Sequence, residues 1–160
     1  MSANIETLQF LGFFVPLGLL CAALTVTDLR RGIIPDGINL SIAGLGLLKA
    51  VVTSGAVAAL ELAGESAGIA LVFWLLRRCY FMWRKAQGLG LGDVKFLAAA
   101  GTWIGITGLP TLLLVATLAA LTAAGGMQLA GRPMTRQSSL PFGPFLAIGL
   151  LLAVIVQRFQ

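Results

Sequence analysis

Residues Thr7 to Thr27 form a run of 21 residues without a charge, and that run decides what kind of molecule the chain can be. A helix of this length crosses a hydrocarbon core about 30 Å thick. The apolar stretch of a signal peptide is shorter and follows basic residues. Here only Glu6 is charged ahead of the run, so it reads as a retained membrane helix. The rest of the chain agrees. Its residues are 58% hydrophobic and 11% charged, where a soluble domain carries about 25% charged. Its mean hydropathy is +0.96. The expected fold class is all-α, a polytopic integral membrane protein.

Six hydrophobic segments follow from the pattern: 7–27, 37–58, 62–76, 93–108, 110–130 and 143–157. Three of them (the third, fourth and sixth) are short for a span, so five helices plus a re-entrant piece also fit. No internal repeat or linker stands out, and residues 1–160 read as one domain. Connections between segments 1 and 2, 3 and 4, and 5 and 6 hold nine of the eleven basic residues, including Arg30, Arg31, Arg77, Arg78, Arg84, Lys85, Arg132 and Arg136. The opposite face holds Glu6, Glu61, Glu65 and Arg158. Positive charge marks the cytoplasmic side. Six helices with both termini outside (N-out/C-out) are therefore expected, as is a placement of Asp28 and Asp93 at the cytoplasmic edge. The net charge of +5 is scattered over these connections and does not point to nucleic acid. The chain has no histidine, and its two cysteines, Cys21 and Cys79, are far apart, so the usual zinc ligands are missing. No metal or cofactor is expected.

The residues best suited to chemistry are two carboxylates. Asp93 lies in the stretch Gly88-Leu89-Gly90-Leu91-Gly92-Asp93-Val94-Lys95, where glycines clear space beside it. Asp28 closes the first apolar segment. Charged side chains near bilayer depth are costly and usually functional. Two carboxylates that converge cannot both ionise easily and share one proton, the arrangement of an aspartic protease. Each aspartate also suits a plain structural role, capping or flanking a helix at the water interface. If they pair, the dipoles of their helices place the shared proton on Asp28, at a helix C-terminus, rather than on Asp93, at a helix start.

Other polar residues suggest local roles. Asp36, after Pro35, suits a helix cap, with leader recognition as the alternative. Lys95 suits either anchoring or a charge beside Asp93. Lys49 suits snorkelling to the outer interface, and Glu61 and Glu65 suit an exposed outer turn. Tyr80 to Gln87 mixes aromatic and basic residues as interfacial segments do. Gly64/Gly68 and Gly101/Gly105 have helix-packing spacing. Pro141-Phe142-Gly143-Pro144 suits the start of the last helix.

The wording of three motifs resembles the bacterial type IV prepilin peptidases. Thr27-Asp28-Leu29-Arg30-Arg31-Gly32-Ile33-Ile34-Pro35-Asp36 resembles their first aspartate motif. Gly88 to Lys95 resembles the Gly-x-Gly-Asp signature with its lysine, and Leu140 to Phe145 a third landmark. The resemblance implies an aspartic endopeptidase of the bacterial inner membrane with Asp28 and Asp93 as its catalytic pair. Its partners would be membrane lipids and a prepilin or pseudopilin, whose leader it trims at the cytoplasmic face. Full-length members carry an additional N-terminal region with Cys-x-x-Cys pairs and methylate the new terminus. The sequence has neither pair, which fits a short, protease-only form. Two other classes remain as alternatives, a small proton-coupled transporter and a catalytically silent assembly subunit.

Overall fold

The computed structural model describes residues 2–85, 89–130 and 141–159, with side chains from residue 7 onward. Helix is the only regular secondary structure among the described residues: α1 (Ser2–Arg31), α2 (Asp36–Ser54), α3 (Ala56–Arg84), α4 (Leu91–Leu129) and α5 (Gly143–Arg158). The first four are long and apolar enough to cross a membrane. The shorter α5 has 16 residues.

Apolar side chains do not sort inside from outside here, because the surroundings are as apolar as the core. Leu19, Leu40, Leu60 and Leu121 all point outward. The interior instead gathers small residues, with Ala99, Ala100, Ala116 and Ala153 buried among Leu17, Leu24, Ile42, Phe96 and Leu150. Small residues let helix backbones approach, which is how helices associate in lipid. Gly101 shows this directly: an added Cβ would lie 3.2 Å from the Ser66 Cα of α3. The Ser66 hydroxyl donates to the Ala98 carbonyl across the same contact. Gly64 and Gly68 face open space, so the expected packing role holds for Gly101 and not for that pair.

Several expected boundaries move. The α2–α3 joint is Gly55 alone, at φ +91°, a conformation glycine adopts at little cost. No charge or proline marks it, so the sequence pattern alone carries segment 2 on to residue 58. At the other end, α3 continues past Arg77-Arg78 to Arg84 because both cations find partners without leaving the helix. Arg77 Nε donates to the Leu89 carbonyl at 3.0 Å. The Arg78 guanidinium lies 5.8 Å from the Trp74 ring centroid. Lys49 similarly rests over Trp103, at 5.3 Å.

The fourth and fifth expected segments form the single α4, interrupted at Gly105 (φ 60°, ψ −171°), while Pro110 lies inside the helix. Such an interruption frees backbone groups that lipid cannot satisfy. Neighbouring helices supply the partners. Ile106 N–H donates to Glu65 Oε2 of α3 at 2.6 Å, and Gln157 Nε2 of α5 donates to the Ile104 carbonyl at 2.8 Å. Glu65 is therefore not on an outer turn. It closes the interruption in α4. Beyond Gly105, Gly108 meets Gln157, whereas Leu112 and Ala116 meet Gly149, so this stretch runs back toward the Gly143 end of α5.

Removing the Glu65 acceptor leaves the Ile106 N–H unpaired where lipid offers no substitute, which costs about 1–3 kcal/mol. Glu65→Ala is expected to lower the thermal midpoint in detergent, and Glu65→Gln, which keeps an acceptor oxygen, to restore most of it.

Candidate active site

Asp28 stands in the last turn of α1, and the turn ends at Gly32, whose N–H donates to the Asp28 carbonyl at 2.8 Å. Gly32 has φ +62°, which favours glycine and releases the chain toward α2. The connection then passes α4 closely: a Cβ on Gly92 would lie 3.1 Å from Ile34 Cβ. The second glycine of the motif, Gly90, protects the carboxylate itself, since a Cβ there would lie 2.9 Å from Asp93 Oδ2. Space for a neighbour is thus the reason for both glycines. Gly88 lies outside the described residues.

These approaches bring Asp28 and Asp93 to one cleft of about 1040 Å³, also lined by Gly90, Pro141 and Phe142. The two carboxylates interact electrostatically across it. Asp28 is only 6% exposed. Its Oδ2 accepts the Gly143 N–H at 2.9 Å, a contact between the two ends of the sequence. Gly143 is the first residue of α5, so Asp28 sits at a helix N-terminus as well as at the C-terminus of α1. The expected dipole asymmetry between the two aspartates is reduced, because Asp28 now faces a positive helix end as well as the negative end of α1.

The glycine-proline motif before α5 thus does more than start a helix. A Cβ on Gly143 would lie 2.6 Å from Asp28 Oδ2 and 2.9 Å from Cγ, so glycine is what lets the carboxylate seat against the N–H. Nothing in the sequence signals this contact beyond the presence of the motif itself.

Asp36 takes a different role from the one expected. It makes no side-chain cap at the start of α2. Both of its oxygens bind Lys95 Nζ, at 2.6 and 2.8 Å. Lys95 is thereby committed to Asp36 rather than to Asp93, and the pair stands at the cleft rim. The basic residues Arg132 and Arg136 and the landmark residue Leu140 lie outside the described residues, as does Gln87 of the interfacial stretch.

The sequence profile of the type IV leader peptidase family matches residues 14–125, a stretch that contains both aspartates. The chain is 39% identical over 136 residues to the prepilin leader peptidase/N-methyltransferase of Burkholderia pseudomallei, covering 81% of this chain and 42% of that protein. To the protein of the same description from Pectobacterium carotovorum it is 38% identical over 145 residues, 86% of this chain and 48% of the relative. To that of Dickeya chrysanthemi it is 35% identical over 152 residues, covering 92% and 53%. The chain thus spans about half the length of the curated relatives it matches. No solved structure matches it. With a profile match over most of its length and relatives this similar, the chain belongs to the type IV leader peptidase family.

Proposed function

We propose that this chain is an aspartic endopeptidase that removes leader peptides from prepilins or pseudopilins, with Asp28 and Asp93 as its catalytic pair. The observation that carries the reading is the convergence of these two carboxylates, from the ends of different helices, on one cleft. They share one proton. The ionised member takes a proton from water while the protonated member hydrogen-bonds the scissile carbonyl. Water oxygen bonds to the carbonyl carbon, giving a tetrahedral intermediate. The C–N bond then breaks, its electron pair stays on nitrogen, and a carboxyl proton passes to the leaving amine. Gly143 N–H occupies one oxygen of Asp28, holding the carboxylate in place while leaving the other oxygen for the proton or substrate. Coexpression with a prepilin tests the reading. Loss of the leader on a gel is the expected result. An intact prepilin would favour a silent assembly subunit, and proton flux in vesicles without cleavage would favour a transporter.

The same proposal sets the site at the cytoplasmic face of a bacterial inner membrane. It has six crossings, with α4 contributing two as it turns back after Gly105. The order of contacts along α5 and the basic residues near the cleft (Arg30, Arg31 and Lys95) support it. Cysteine probes at Arg84 and Gln137, in a Cys21→Ala, Cys79→Ser background, are expected to label from the cytoplasm. Probes at Ser2 and Ser54 are expected to label from outside. Cytoplasmic labelling at Ser2 would overturn the six-crossing arrangement.

A further inference from the structure

A second hollow, a groove of about 780 Å³, opens between α2, α3 and the first turns of α4. Its wall is mainly apolar, including Leu40, Ala43, Leu71, Trp74 and Val94. The one hydroxyl, on Ser66, is already engaged with the Ala98 carbonyl. The groove is continuous with the aspartate cleft, because Asp36, Leu91 and Lys95 line both. From that shared rim it follows α2 from Asp36 to Ala43, about 10 Å along the helix.

One residue in this wall is unlike the rest. Asn39 is 5% exposed, and neither its Oδ1 nor its Nδ2 has a hydrogen-bond partner among the described residues. A buried amide without partners is destabilising, and the great majority of buried polar atoms are paired. Asn39 lies one helical turn inward from the Asp36–Lys95 rim, where the groove leaves the cleft.

A substrate cleaved at the aspartates must continue beyond the scissile bond. A leader is removed from the front of a protein, so the retained chain runs on from the cleft. If it follows the groove among membrane-crossing helices, it must satisfy its own backbone and so be helical. The first turn of that helix has N–H groups with no intrahelical partner. These groups and the idle Asn39 oxygen are complementary.

We propose that this groove seats the apolar helix that follows the leader, with Asn39 bonding the polar groups of that helix's first turn. The inference rests on the leader-peptidase reading above. A lipid chain would fill the apolar wall but leave Asn39 unpaired, which is why the occupant assigned is a helix end.

The test uses the full chain in membranes with a prepilin. A photo-crosslinking residue replaces Leu40 or Leu71, both exposed on the groove, or Leu19 or Ile148, exposed on α1 and α5. Adducts with the prepilin are expected from the two groove positions and not from the other two. In parallel, Asn39→Leu is compared on the prepilin and on a leader peptide truncated before its apolar helix. The variant is expected to raise KM for the prepilin by about tenfold, the value of one hydrogen bond, with kcat little changed. Cleavage of the truncated peptide is expected to be unaffected. Cleavage by the unaltered protein with groove adducts only to lipid, or only to a second copy of the chain, would overturn the inference and leave the peptidase reading standing. So would an equal effect of Asn39→Leu on both substrates. Failure of the unaltered protein to cleave any prepilin would remove both. If Asn39→Leu does not accumulate, the crosslinking result alone decides.

Discussion

Asp28→Asn and Asp93→Asn are each expected to abolish leader cleavage while the protein still accumulates in the membrane. Proton transfer by a positioned side chain is worth about 10²–10⁴-fold, and in the proposed mechanism neither aspartate works without the other. The double variant should therefore be no slower than either single one, since removing one member disables the pair. Abundance serves as the control. Asp93 is partly exposed in the cleft, and its replacement by the isosteric amide leaves packing intact. Appreciable cleavage by either single variant would remove the pair from the mechanism.

Gly143→Ala is expected to come close to the same loss without touching a carboxylate. The new methyl would sit 2.6 Å from Asp28 Oδ2 and 3.1 Å from Asp28 Cβ, so the aspartate or the start of α5 must shift. Asp28 is buried and has little room to yield. A displacement of about 1 Å at a reacting group can cost about 10²-fold in rate. Gly125→Ala is the matched control, because nothing lies within 4 Å of its added Cβ. Cleavage measured at equal protein level should fall for Gly143→Ala and hold for Gly125→Ala. Equal rates for the two would mean that the seat of Asp28 is not needed for catalysis.

The parts of this structure that could be read from the sequence were those encoded locally. The uncharged run of α1 and the start of α5 at Gly143 follow from short-range pattern, and the glycines around Asp93 follow from local spacing. What could not be read depends on contacts between distant parts of the chain. Asp36 looked like a cap because it follows Pro35 at a helix start, yet its partner is Lys95 on another helix. Pro110 looked like the start of a helix, but it lies inside α4, and the interruption fell five residues earlier at Gly105. That site is stable because Glu65 and Gln157 arrive from α3 and α5. Arg77 and Arg78 looked like the end of a span, although long cationic side chains can find partners while the helix continues. The seat of Asp28 on Gly143 joins the two halves of the sequence and had no local signature.

The interruption at Gly105 also sets the angular position of Asp93. Its place is pinned from outside α4, by one bond to each exposed backbone group, so the helical stretch before it is indexed from that point. Each residue in that stretch turns the helix by about 100° and advances it about 1.5 Å. Deleting Ala98 would barely change length or hydrophobicity, yet would swing Asp93 about a quarter turn away from Asp28. In this fold the distance in residues from Gly105 to Asp93 is as much a part of the proposed active site as the carboxylate itself.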